Sequence, residues 1–131
     1  MISAIGTRDG RKPTTVATDS ARSIVRAMHD AGTKRLVVVS GTGPFDEGEG
    51  VPMRYLIKPL GKLFLRHVFA DFVTMEAVVR ASDLDWTIIR PPRLTDKPLT
   101  GTYRTKRDEN MHRNFAVSRA DVADLILRVL P

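Results

Sequence analysis

The chain contains no cysteine among its 131 residues. Disulfide bonds, thiolate catalysis and cysteine-ligated metals are therefore excluded, and the absence fits a cytoplasmic protein. No apolar run approaches the ~20 residues that a membrane-spanning helix needs, and the N-terminus lacks the basic and apolar regions of a signal peptide. The three histidines, His29, His67 and His112, form no H-x-x-x-H or H-E-x-x-H spacing, so we expect no metal site.

Acidic side chains are in the minority, because 21 Lys and Arg stand against 15 Asp and Glu and give a formal charge of +6. The basic residues are spread along the chain, which favours a solvated basic surface over a nucleic-acid-binding patch. A phosphorylated ligand would also suit this charge, so charge alone does not select it. Residues 54–66 mix basic and apolar side chains and could form a membrane-surface helix, but a helix packed on a sheet is favoured. We therefore expect neither a nucleic-acid nor a membrane partner.

The first forty residues predict a strand, a helix and a second strand. An apolar run at 2–5 ends at Gly6, and a loop rich in glycine and proline follows. Apolar residues at 21, 24, 25 and 28 then give one helical stripe, which we expect to end at Gly32. The β-branched run 35–40 is typical of a parallel strand covered on both faces. This spacing predicts a βαβ unit, whose crossover is almost always right-handed.

The rest of the chain continues the alternation. A helical pattern covers 59–81, although Gly61 makes one unbroken helix doubtful. A strand is predicted at 85–90, further short strands at 102–105 and 115–117, and a helix whose N-cap is Ser118 in an S-x-x-D pattern. We favour a core position over a stacking role for Trp86, and a solvated or helix-pairing role over catalysis for Glu76. The pattern predicts a single α/β domain over 1–131, with a mainly parallel sheet flanked by helices.

Three loops follow the predicted parallel strands: Gly6-Thr7-Arg8, Ser40-Gly41-Thr42 and Pro91-Pro92-Arg93. The carboxyl ends of parallel strands share one edge of a sheet, and ligands bind at that edge. We therefore expect these loops to meet at one rim. For Gly6 alone, a plain strand-ending turn explains the residue as well as a ligand contact does.

Several stretches of the sequence are weak family signals individually, but their order and spacing together are specific. They are Ile5-Gly6-Thr7-Arg8, residues 13–16 and 21–25, Ser82 to Leu94, residues 96–103, and Val117 to Ala123. In these stretches the chain resembles the atypical short-chain dehydrogenase/reductase proteins, in particular the NmrA-like NAD(P)H-binding group and its flavin reductases of the biliverdin reductase B type. The resemblance covers nearly the whole chain and lapses mainly between 42 and 69.

The resemblance implies roles for the three loops. Gly6, Thr7 and Arg8 match the loop that passes the ribose and phosphates of NADP or NAD. Val39, Ser40 and Gly41 match the strand end beneath the nicotinamide, and Pro92, Arg93 and Leu94 match the segment against its carboxamide and the substrate. The implied reaction is hydride transfer from NAD(P)H to a flavin or another planar acceptor. Ser40, Thr42 and Arg93 are then the candidates for stabilising developing negative charge.

The sequence also departs from that family. The fingerprint G-x-x-G-x-x-G is absent, so the resemblance implies a partial Rossmann fold that lacks the first three strands and binds the cofactor weakly. The active-site serine of flavin reductases falls at Gly41, and the rim histidine falls at Arg93, whose guanidinium stays protonated near neutral pH. The Tyr-x-x-x-Lys pair of typical short-chain dehydrogenases falls at Val68 and Phe72.

These departures leave two functions in competition. Retention of the loops favours an NAD(P)H-dependent oxidoreductase, whereas loss of the serine and histidine favours a non-enzymatic redox sensor or interaction module. An inactive fragment of a longer protein is a third interpretation. We also expect self-association, because the strand at 2–5 would form an unprotected apolar edge.

Overall fold

The computed structural model describes residues 1–7, 9–42, 58–107 and 116–131, with the backbone alone for 58–64. Three helices and five strands lie in these ranges. The helices are α1 (Val16–Asp30), α2 (Lys58–Arg80) and α3 (Arg119–Val129). The strands are β1 (Ile2–Ser3), β2 (Arg35–Val39), β3 (Asp85–Ile89), β4 (Arg93–Thr95) and β5 (Ala116–Ser118).

All strand pairs in the described residues are parallel, which confirms the predicted α/β class. β1, β2 and β3 form one sheet in that order, with Ser3 opposite Val38 and Val39 opposite Ile89. β4 and β5 form a second, two-stranded sheet. Since β1, β2 and β3 run in the same direction, their carboxyl ends lie at the same edge.

β2 is buried on both faces, as its β-branched sequence predicts. Leu36 and Val38 belong to a core cluster with α1 and α2, whereas Val37 belongs to a second cluster with α3. Successive side chains of a strand point to opposite faces, so this five-residue strand packs against helices on both of its faces. The domain is therefore a three-layer α/β/α arrangement.

The predicted helix ends are confirmed at two places. Gly32 follows α1 with φ of +65°, the left-handed conformation that glycine adopts without a Cβ penalty. Ser118 caps α3, since its side chain accepts a hydrogen bond from the backbone N–H of Asp121. Arg35 then binds the other end of α3 by donating to the carbonyl oxygens of Val129 and Leu130.

Three expectations about secondary structure were wrong. α2 is continuous across Gly61, because a glycine costs a helix only about 1 kcal/mol relative to alanine and the later turns pack on the core. The first strand is limited to Ile2–Ser3 rather than 2–5. Residues 102–105 form no strand, because side-chain carboxylates of α3 hold this stretch instead of a neighbouring strand.

Asp121 and Asp124 are the two carboxylates that hold the stretch. Asp121 accepts hydrogen bonds from the backbone N–H groups of Thr100 and Gly101 and from the Thr100 hydroxyl, at 2.9–3.0 Å. Asp124 accepts one from the Tyr103 hydroxyl at 2.7 Å. Burial alone would raise the pKa of Asp121, but hydrogen bonds from Ser118, Thr100 and Gly101 outweigh it and lower that pKa. The hydrogen bond from Tyr103 is the main cause of the lowered pKa of Asp124.

Truncation of Val37 tests the double-sided burial of β2. Val37 is 0% exposed, so we expect Val37→Ala to lower the free energy of unfolding by about 2 kcal/mol. Leu127, which is 65% exposed on α3, provides the control, and Leu127→Ala should stay within about 0.5 kcal/mol of the wild type. Urea denaturation followed by Trp86 fluorescence measures both; equal effects would contradict the assignment.

Acid should weaken the contact between α3 and residues 100–103. The pKa values of Asp121 and Asp124 are lower in the folded state, so their contribution is present above the unfolded pKa of about 3.9 and is lost as pH falls through the folded values. We expect the urea midpoint to fall below about pH 4. The fall should be smaller in Asp124→Asn. Equal profiles for the wild type and this variant would be inconsistent with the assignment.

Candidate functional site

Two of the predicted loops are joined directly by backbone hydrogen bonds. The N–H of Ser40 donates to the carbonyl oxygen of Ile89 at 2.8 Å, which continues the register of β2 and β3. One step further, the N–H of Thr42 donates to the carbonyl oxygen of Pro91 at 3.3 Å. The loops after β2 and β3 therefore leave the sheet side by side.

The loop after β1 reaches the same place through Phe72 on α2. A Cβ built on Gly6 would lie 3.8 Å from Cζ of the Phe72 ring, and one built on Gly41 would lie 3.5 Å from Cε2. The half-buried ring therefore borders the first loop with one edge and the second with the other. The three loops meet at one rim, as expected from the parallel strands.

Ser40 is the most informative residue at this rim. Its side chain is buried, with 5% of the residue exposed, and within the described residues its Oγ has no hydrogen-bond partner. Most buried polar side-chain atoms are hydrogen-bonded, and leaving one unpaired costs about 1–3 kcal/mol. Within the described residues, Oγ of Ser40 is therefore a buried polar atom that the protein leaves unsatisfied.

The other predicted site residues differ in their surroundings. Thr7 is half-buried and its Oγ1 accepts a hydrogen bond from the N–H of Asp9 at 3.3 Å, and Thr42 is half-buried as well. Pro92 is half-buried and Arg93 is exposed. Val39 and Leu94 pack against the core cluster under α3, so packing alone explains them. Arg8 lies outside the described residues. The assigned roles of all of these residues stay predictions.

Sequence reasoning missed an ion pair directly beneath the rim. Glu76 on α2 is 2% exposed and accepts two hydrogen bonds from Arg90, at 2.9 and 2.5 Å. Arg90 immediately follows β3, so the pair ties the third loop to α2. Of the two expected roles for Glu76, the solvated one is wrong, because the carboxylate is buried and the Arg90 guanidinium compensates it. The helix-pairing role is confirmed by Arg80, one turn further along α2. Two features of the sequence could have indicated the pair of Glu76 and Arg90: an arginine directly after a strand, and a lone glutamate on an apolar helix.

Arg80 completes this group. Its guanidinium lies 3.7 Å from Oε2 of Glu76 and 5.0 Å from the centre of the Trp86 ring, within cation–π range. Trp86 packs against the core cluster of α1 and α2, which confirms the preferred core position.

Sequence reasoning also missed a second buried carboxylate, Asp71, next to Phe72. Its Oδ2 accepts a hydrogen bond from the N–H of Ala17 at 2.9 Å, and its Oδ1 accepts one from the N–H of Thr18 at 3.0 Å. These donors belong to the first turn of α1, more than fifty residues earlier in the chain. Nothing local in the sequence indicates this pairing.

The rim is built from two glycine loops and an aromatic ring. The Phe72 ring lies within van der Waals range of the positions that a Cβ would take at Gly6 and at Gly41, and the buried Ser40 hydroxyl has no partner within the described residues. The described side chains contain no group of three His, Asp or Glu residues that could hold a metal ion. Over the same described ranges, no helix is long and apolar enough to cross a membrane.

A parallel sheet between helical layers, with three loops at its carboxyl edge, defines a Rossmann-like α/β fold. Comparison with known proteins gives the family. The family described as NAD(P)H-binding matches residues 1–131. The chain is also 34% identical over 118 residues to UPF0659 protein YMR090W of Saccharomyces cerevisiae, covering 88% of this chain and 48% of that protein. The chain belongs to this NAD(P)H-binding family.

Solved structures agree on the fold. A short-chain dehydrogenase/reductase from Veillonella parvula, solved in complex with NADP, matches with a TM-score of 0.72 and 22% identity, covering 99% of this chain and 56% of that one. ChuY, an anaerobillin reductase from Escherichia coli, matches with a TM-score of 0.66 and 23% identity, covering 98% of this chain and 55% of that one. The chain thus spans about half the length of the proteins that it matches.

Proposed function

We propose that this protein is an NAD(P)H-dependent oxidoreductase that passes a hydride to a flavin or a similar planar acceptor at the rim of β1, β2 and β3. The observation that carries the proposal is the buried Oγ of Ser40, next to Gly41, which has no hydrogen-bond partner among the described residues. Membership of the NAD(P)H-binding family and the reductase named among the structural neighbours support it.

The bound dinucleotide would supply the hydride, and the chain's own residues would position and shield the reacting rings. The glycines at 6 and 41 let a ring approach the backbone closely. Ser40 Oγ would hydrogen-bond a polar atom of the cofactor or acceptor. Phe72 would exclude water from the floor of the rim.

Charge at the rim suits an anionic acceptor. Arg93 is exposed at the start of β4, and its guanidinium can pair with a phosphate or with negative charge that develops on the acceptor. It does not deliver a proton near neutral pH, so the proton would come from solvent or from Ser40 relaying one. Thr42, half-buried beside Pro91, is the remaining hydroxyl candidate.

The second candidate function is a nucleotide-holding sensor without turnover. It is favoured by the residues at the positions where flavin reductases carry their serine and histidine, because Gly41 and Arg93 provide no titratable group for proton transfer near neutral pH. A cofactor that binds but is not consumed in the presence of an acceptor would identify this function.

Binding of NADPH to the 131-residue chain tests both functions. We expect weak binding, with a dissociation constant above micromolar, because the sequence has no G-x-x-G-x-x-G loop to hold the pyrophosphate. Ser40→Ala should weaken binding about fivefold, the value of one ordinary hydrogen bond. Ser82→Ala is the matched control, since Ser82 lies just beyond the C-terminal end of α2 and its hydroxyl donates to the Val79 carbonyl oxygen.

Nicotinamide fluorescence measures the binding, and loss of NADPH absorbance with FMN measures the turnover. Sub-micromolar binding would refute the expected weakness, and equal binding by Ser40→Ala and the wild type would refute the role of Ser40. If NADPH binds but is not consumed in the presence of FMN, the enzyme function is refuted and the sensor function is supported. NADH measured in parallel decides which nicotinamide dinucleotide is preferred.

We also propose that β1 mediates self-association. Within the described residues β1 has a strand neighbour on one side only, and Met1, Ile2 and Ile5 are 56%, 42% and 42% exposed. An unpaired apolar edge is a template for a second chain. Sedimentation velocity at high concentration should show dimers or larger species for the wild type and for Leu127→Lys, and monomers for Ile2→Lys. A monomeric wild type would contradict the proposal.

A further inference from the structure

We infer that Asp71 is a positioning residue for the nucleotide site, because it fixes the Gly6–Thr7 loop against α2. The inference rests on the proposed function and adds a residue that neither the family resemblance nor the loop pattern indicates. Its role is to set the position of the loop after β1 relative to Ser40, without contact with the ligand.

Helix α1 does not cap its own N-terminus. Thr15 occupies the N-cap position, but its side chain makes no capping hydrogen bond and its hydroxyl donates to Oδ2 of Asp19 at 2.7 Å. The N–H groups of Ala17 and Thr18 are the ones that a capping side chain normally satisfies. Asp71 satisfies both of them from another helix, with one carboxylate oxygen for each.

The contact is buried and charged. Asp71 is 6% exposed, Ala17 and Thr18 are each 3% exposed, and the Thr18 hydroxyl lies 2.5 Å from Oδ1 of Asp71. A carboxylate at a helix N-terminus also faces the positive end of the helix dipole. Removing the carboxylate would leave two buried N–H groups without their acceptor, so this junction has one strongly preferred geometry.

The position of this junction connects it with the rim. The loop that contains Gly6 and Thr7 ends where α1 begins, and Asp71 holds that end. The next residue of α2, Phe72, borders Gly6 near the start of the same loop and Gly41 on the second loop. Two adjacent residues of one helix therefore fix both ends of the first loop relative to the second. Loss of the Asp71 contact frees one end while the contact with Phe72 remains.

This geometry predicts a local effect on ligand binding. In Asp71→Asn the side chain keeps its shape, but it loses its charge and turns an amide NH₂ toward one of the two N–H donors. We expect the dissociation constant for NADPH to rise about tenfold, as for the loss of a charge-assisted hydrogen bond. Asp19→Asn is the matched control, because it neutralises an exposed carboxylate in the first turn of the same helix and keeps both backbone hydrogen bonds to Asp71. Its binding should stay within about twofold of the wild type.

Nitrogen-15 NMR during an NADPH titration separates positioning from stability. In the wild type the amides of Gly6 and Gly41 should both shift with one dissociation constant. In Asp71→Asn the response of Gly6 should be reduced or redirected while Gly41 still responds, and hydrogen exchange should accelerate at Ala17 and Thr18. Near-ultraviolet circular dichroism of Trp86 reports whether the variant is folded. If it is not, Asp71→Glu, which keeps the charge and displaces it by one methylene, takes its place with the same expected pattern.

The outcomes are distinct. Unchanged binding and an unchanged Gly6 response in the folded variant overturn the role of Asp71 and leave the proposed function standing. A proportional loss of both glycine responses, matching the unfolded fraction, also overturns it, because the residue would then serve stability alone. If the wild type itself shows no response to NADPH at either glycine, the proposed function fails and the nucleotide role of Asp71 fails with it.

Discussion

The structure depends on the burial of β2 between two helical layers. Leu36 and Val38 on one face and Val37 on the other bring α1, α2 and α3 onto a single strand. β1 and β3 both pair with β2 in parallel, so the register of β2 sets the positions of all three carboxyl ends. Moving β2 by one residue would exchange its two faces and separate the loops that now meet.

α2 contacts the loops that leave this shared edge. Over less than two turns it presents Asp71 to the N-terminus of α1, Phe72 to both glycine loops and Glu76 to Arg90 at the end of β3. Each strand-end loop therefore has at least one contact with the same helix. Because the helix is rigid, the loops are held relative to one another by its spacing and not by their own flexible backbones. A buried carboxylate lies at each end of this segment, and the hydrogen bonds that it accepts are both strong and directional.

The unpaired hydroxyl of Ser40 contrasts with this pattern. The buried carboxylates Asp71, Glu76 and Asp121 all have donors, whereas Ser40 Oγ has none in the described part of the chain. Stability alone would favour alanine or a satisfied serine at this position, since an unpaired buried hydroxyl is unfavourable. This unsatisfied hydroxyl and the membership of the NAD(P)H-binding family are the two observations that support the proposed nucleotide site.

Local chemistry in the sequence predicted most of the fold. The apolar period of α1, the left-handed glycine after it, the β-branched run of β2 and the Ser118 cap each follow from neighbours a few residues apart. The rule that parallel strands end at one edge then predicted that Gly6, Gly41 and Pro92 lie at one rim. The failures have the same origin, because the sequence near Gly61 and Thr102 does not show that tertiary packing stabilises a helix at the first and α3 carboxylates hold the second.

The sequence by itself thus determined the class of fold, the direction of the strands and the loops that meet at their carboxyl edge. Only the tertiary structure decided which donors bind the buried carboxylates. Asp71 with Ala17, Glu76 with Arg90 and Asp121 with Thr100 are separated by 54, 14 and 21 residues. No periodicity or motif predicts such pairs, since each depends on distances that exist only after the helices have packed on the sheet.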